Sequence, residues 1–145
     1  MRFSEFQTYQ PKSVQNVFAL VCEDDFLVEE SQPVWQRIFG SNWIFEKYAA
    51  KEFEEISSNR LMDEALTPSL FTRNRALIVT NADKLTKGRF DVLTELQKVP
   101  SSSLKVVLVT ASRKSTEGWA KQFSMIDIDT LKPGDVARWL IDRYK

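Results

Sequence analysis

Asn16-Val-Phe-Ala-Leu-Val-Cys22 is an unbroken apolar run that ends at the acidic trio Glu23-Asp24-Asp25. A run of strand length with no polar alternation is what a strand covered on both faces requires. Two further stretches read the same way: Arg75 to Thr80, centred on Ala76-Leu-Ile-Val79, and Leu104 to Thr110, LKVVLVT. Between the first two runs, Phe26, Leu27, Val34, Trp35, Ile38 and Phe39 follow a helical pattern that stops at Gly40. Pro33 falls inside that pattern and is expected to kink or divide the helix, because it lacks an N–H and clashes with the preceding turn.

Working outward, Phe3 and Phe6 form a short amphipathic lead-in, and a second strand is expected at Trp43 to Ala49. Leu61, Met62, Ala65 and Leu66 mark one face of a helix over Ser57 to Leu66, which Thr67-Pro68-Ser69 ends. Phe90, Leu93 and Leu96 share one side of a helix over Gly88 to Lys98, broken by Pro100 and the serines to Ser103. A short helix near Thr116 to Gln122 leads to Ser124-Met-Ile-Asp-Ile-Asp129, whose apolar and acidic alternation suggests a sheet edge. Pro133 opens a last helix with Val136, Ala137, Leu140, Ile141 and Tyr144 on one stripe. Five strands alternating with helices imply an α/β fold, a mainly parallel five-stranded sheet with helices on both faces. Residues 1–145 read as one domain, a length at which a single core buries roughly two thirds of the unfolded chain's surface.

Composition narrows the function. Lys plus Arg equals Asp plus Glu, 20 against 20, which speaks against DNA or an anionic membrane as the main partner. With no histidine and one cysteine, the chain has no Ser/His/Asp or Cys/His pair and no His- or thiolate-based zinc site. A lone cysteine suits a reducing compartment. Met1 to Gln10 has no secretory pattern, and no apolar run approaches the ~20 residues that span a bilayer, so the cytoplasm is expected.

A phosphate loop after the first strand needs glycines for close backbone approach and a lysine for charge. Cys22-Glu23-Asp24-Asp25-Phe26 has neither, and its carboxylates repel phosphate. No cofactor and no catalysis are expected. Helix capping and dipole compensation are the simple roles for Asp24 and Asp25. The alternative is a magnesium pocket of a receiver-like phospho-accepting signalling domain, with Thr110 and Lys132-Pro133 in matching places. That family's phosphorylated aspartate should end the third strand, where Thr80-Asn81 stands, with Asp83 two residues on. Cys22 closes an apolar strand beside carboxylates that raise a thiol pKa, so it reads as buried and inert. Lys84, Lys87 and Arg89 read as a solvated helix face, and Arg113 and Lys114 likewise.

The segment Thr67-Pro-Ser-Leu-Phe-Thr-Arg-Asn-Arg75 sets two large apolar residues, Leu70 and Phe71, in a polar turn. Such a pair either tucks into the core or inserts into a partner's apolar pocket as a small hot spot.

Four stretches, in order, resemble the N-terminal domain of the bacterial DNA polymerase III delta subunit, a clamp-loader family. Val21-Cys-Glu-Asp-Asp-Phe-Leu-Val-Glu-Glu30 is similar to its strand-then-helix start, and Ser69-Leu-Phe71 followed by Arg75 to its clamp-binding turn and next strand. Asn81-Ala-Asp-Lys-Leu85 and Trp139-Leu-Ile-Asp-Arg143 resemble later segments, so the likeness covers about Val17 to Arg143. It implies an AAA+-like domain with a degenerate phosphate loop that binds the beta sliding clamp and helps open it during DNA replication. Ser69, Leu70 and Phe71 would be the clamp-binding residues, supported by Pro68, Arg73 and Arg75. Other loader subunits would be met through further domains, so the chain reads as part of a longer one. Cys22 where the family often has Gly, Pro33 within a helix and Pro68 at a place of apolar contact depart from its pattern.

Overall fold

In the computed structural model the fold is described for residues 1–66, 74–100, 102–111, 118, 119 and 122–129. The elements run α1 (Phe3–Gln7), β1 (Val17–Val21), α2 (Asp25–Glu30), α3 (Gln32–Phe39), β2 (Trp43–Ala49), α4 (Ala50–Glu54), α5 (Ser58–Leu66), β3 (Asn74–Thr80), α6 (Lys87–Gln97), β4 (Leu104–Thr110) and β5 (Ser124–Asp127). The expected helices at 116–122 and from Pro133 onward lie largely or wholly outside the described residues.

The five strands form one sheet in the order β2-β3-β4-β1-β5, with every pair parallel. Period-two alternation divides the side chains between two buried clusters. Val17, Ala19, Leu77, Val79, Leu104, Val106 and Leu108 face α4, α5 and α6 through Phe53, Leu61, Ala65, Leu93 and Leu96. Phe18, Leu20, Ile78, Val107, Val109 and Ile126 face α1, α2 and α3 through Phe3, Phe6, Leu27, Val28, Trp35 and Ile38. Helices therefore cover both faces, and every residue of β1 and β4 is buried, as their unbroken apolar runs demand. The alternating β5 lies at an edge, as its pattern foretold.

Pro33 divides the helix after β1. It sits in the first turn of α3, where its missing N–H has no intrahelical partner to lose, and Ser31 joins the two helices. The strand order is incompatible with the receiver alternative. In receiver-type sheets the first strand lies between the second and third; here β1 lies between β4 and β5.

Two side chains depart from the expected pattern. Arg89 is 6% exposed: its guanidinium lies 5.0 Å from the Phe53 ring centroid and donates to the Glu54 and Ile56 carbonyls, so only Lys84 and Lys87 of that trio are solvated. Leu66, grouped with the buried face of α5, is 60% exposed.

Lys105 is buried in β4 as well, on the α3 face of the sheet. Its Nζ donates to Asn16 Oδ1 at 3.0 Å and stands 5.3 Å from the Trp43 ring and 5.9 Å from the Phe39 ring. Burial pushes its pKa down to about 8. Between that value and the ordinary one near 10.4, the unfolded chain binds more protons than the folded one, so stability rises with pH across this window. Discounted for residual solvent screening, the gain is about 1–2 kcal/mol. Urea unfolding of the wild type at pH 7.5, 9 and 10 is expected to show this rise, and Lys105→Met to lack it. Parallel curves for the two proteins would refute the assignment.

Candidate functional site

The carboxyl end of an open parallel sheet is where ligands usually sit, at the point where adjacent strands send their connections to opposite faces. Here that point lies between β1, followed by α2 and α3, and β4, followed by a stretch whose Trp119 and Phe123 pack on the other face. A cavity of about 230 Å³ opens beside it, lined by Val21, Cys22, Glu23, Ala111, Asp127, Ile128 and Asp129. Its charged lining is wholly acidic. Asp24 Oδ1 accepts from the Phe26 N–H at 2.9 Å, so this carboxylate caps α2, and Asp25 occupies the first turn where the dipole favours it. The Thr110 hydroxyl lies 3.3 Å from Asp83 Oδ1, to which it donates. Burial above all pushes the Cys22 thiol pKa up; the Asp24 backbone contact opposes it, and the charges of Asp24, Asp25 and Glu23 add to the rise. A thiol so placed is a poor nucleophile. Among the described residues, no group of acidic or thiol side chains is arranged to hold a metal ion.

The segment expected to meet a partner lies in sequence between the end of α5 and the start of β3, and β3 begins at the amino end of the sheet. A seven-residue strand spans roughly 20 Å, so the first residue of β3, Asn74, stands about the height of the sheet from the carboxyl end. Pro68, Ser69, Leu70, Phe71 and Arg73 lie outside the described residues. The flanks of the segment are well defined. Ser103 links them through the backbone: its N–H donates to the Ala65 carbonyl at 3.3 Å, and its carbonyl accepts from the Arg75 N–H at 3.1 Å.

Arg75 links them through side chains. Nη1 donates to both oxygens of Glu64 on α5, at 2.7 and 2.8 Å. Nε and Nη2 donate to the two oxygens of Glu46 on β2, at 3.1 and 2.7 Å, and Nη2 also reaches the Tyr48 hydroxyl at 3.4 Å. Tyr48 in turn donates to Glu46 Oε2 at 2.7 Å. The Arg75 hydrogen bonds first, and then that of Tyr48, hold the Glu46 carboxyl below the usual range. The acceptor role of Glu46 pushes the Tyr48 phenol up. Sequence reasoning named Arg75 but neither Glu46 nor Glu64. The available signal was an arginine opening a strand whose next four residues are apolar, a charge that needs carboxylates from neighbouring elements.

No curated protein matches the chain. The sequence model of one family, described as "DNA polymerase III, delta subunit", matches residues 18–127. The matched span includes all but the first residue of β1 and the whole of β2 to β5, and with them the acidic loop, α5 and Arg75. The chain therefore belongs to the DNA polymerase III delta-subunit family, that of a clamp-loader component in DNA replication.

Proposed function

We propose that this domain binds the beta sliding clamp through segment 67–73 and helps open the ring for loading onto DNA in the cytoplasm, without nucleotide hydrolysis of its own. Leu70 and Phe71 are the anchors that enter an apolar pocket of the clamp, and Ser69 shapes the turn between them and Pro68. The reading rests on membership of the delta-subunit family, and one structural observation supports its non-hydrolytic half. The loop at the sheet's switch point carries carboxylates where a phosphate cradle would carry glycines and a lysine, and Asp24 is committed to capping α2. An AAA+-like fold with a degenerate phosphate loop accommodates both halves.

Such a domain works by differential affinity. It binds the opened clamp interface better than the closed one, and that difference in binding free energy shifts the ring's equilibrium. The test is calorimetric titration of the domain into a purified sliding clamp from the same organism, with ATP titrated in parallel. Saturable clamp binding with no heat from ATP is the expected result. A folded domain that ignores the clamp, or that binds ATP at micromolar concentration, would overturn the reading.

A further inference from the structure

We infer that Arg75 is a positioning residue for the clamp-binding segment, holding its two ends in register without itself touching the partner. The inference rests on the proposed function and adds a role for side chains that lie outside the segment.

Every guanidinium nitrogen is engaged within the chain. Nη1 bonds the Glu64 carboxylate, Nε and Nη2 bond that of Glu46, and Nη2 also lies within reach of the Tyr48 hydroxyl. The fork is thus turned on both sides toward carboxylates of this chain. Each acceptor belongs to an element that bounds the segment or buttresses it. Glu64 is two residues before the end of α5, Arg75 is the second residue of β3, and Glu46 and Tyr48 lie on the adjoining strand β2. The Arg75–Glu64 pair thus closes the chain across the segment, the partners being eleven residues apart in sequence. The Ser103 backbone bridge closes it a second time.

The chemistry suits this role. Side-chain exposures of 23% for Arg75, 25% for Glu64 and 36% for Glu46 shield the pairs more than a free surface would. A planar fork can serve two carboxylates at once, whereas a lysine ammonium is a point charge that cannot hold both in this geometry. Anchors carried on fixed ends bind without the ordering cost that loose ends impose. When only a fraction of molecules presents the binding-competent arrangement, the apparent affinity falls by that fraction.

The kinetic signature separates positioning from contact. Lost preorganisation slows association, whereas a lost contact speeds dissociation. Surface plasmon resonance of the domain on immobilised clamp, with Arg75→Met, Arg75→Lys and Glu64→Gln, is expected to show association slowed about tenfold for Arg75→Met. Arg75→Lys and Glu64→Gln are expected to fall between it and the wild type, with dissociation rates unchanged throughout. Amide exchange at Arg75 and Ser103 should quicken in the same variants while β1 and β4 stay protected, which also verifies that each variant is folded. Faster dissociation with unchanged association would make Arg75 a clamp contact and overturn the inference, and so would wild-type kinetics in all three variants. Failure of the wild type to bind would instead reject the clamp-binding reading itself, before any variant is compared.

Discussion

Replacing Leu70 and Phe71 together by alanine is expected to lower sliding-clamp affinity at least about a hundredfold while leaving the melting temperature of the domain unchanged. Truncating a central apolar anchor typically costs ~2 kcal/mol or more, and each 1.4 kcal/mol is a factor of ten. On the proposed function the two adjacent anchors would share one pocket and their losses would not add fully, so a hundredfold is the lower bound of a range that reaches about a thousandfold. The thermal measurement makes the experiment decisive. Two large side chains in a polar turn have another use, as a plug folded back into the core, and a variant with that role would lose stability. The elements on either side, α5 ending at Leu66 and β3 beginning at Asn74, are joined by Ser103 and Arg75 through bonds that neither side chain enters. A fall in melting temperature by several degrees, with clamp affinity lost only in proportion to the unfolded fraction, would assign the pair to the core. Full affinity in a folded variant would remove Leu70 and Phe71 from the interface.

The elements legible in the sequence are those whose burial is uniform or strictly periodic. Leu104 to Thr110 is apolar but for Lys105 and the terminal Thr110, and becomes the fully buried β4; the Ser124 stretch alternates and becomes an edge. The helix division at Pro33 was also legible, since the cause is covalent. The five-residue α4, Ala50–Glu54, was not, because one turn of helix is too short to show a period and buries only Ala50 and Phe53. Charge misled at Arg89, and Lys105 shows the same burial. A charged residue suggests solvent, yet both long side chains are buried over aromatic rings with polar acceptors at their tips. Leu66 misled in the other direction, because a helical face does not reveal where the neighbouring chain stops covering it. The candidate site was read as a string of residues whose flanking partners, Glu46 and Glu64, come from separate elements. That the acidic loop after β1 and the first residue of β3 stand at opposite ends of the sheet follows from strand direction, and requires the parallel pairing to be known.

The largest loss of stability is expected at Trp35, where substitution by alanine should cost about 3–5 kcal/mol, a large share of the 5–15 kcal/mol that holds an ordinary domain together. The indole is fully buried and is met on three sides by rings. Phe18 lies at 5.2 Å between centroids, Phe6 at 5.3 Å edge-on, and Phe39 stacks at 5.7 Å. These contacts join α1, β1 and α3, so the cavity left by alanine would also unseat the lead-in helix, whose Phe3 and Phe6 are buried only by packing in this cluster. Trp35 Nε1 is buried with no hydrogen-bond partner among the described residues. Trp35→Phe therefore removes an unsatisfied donor together with the lost area, and is expected to cost about 1–2 kcal/mol, much less than alanine. Urea denaturation of the two variants gives both numbers. Equal losses would mean that the phenyl ring recovers none of the indole's packing, and a loss below about 1 kcal/mol for alanine would mean that the cluster collapses to fill the space. The cluster lies on the face of the sheet opposite α5. Clamp affinity per folded molecule should accordingly survive Trp35→Phe, which distinguishes a residue that holds the fold from one that presents the anchors.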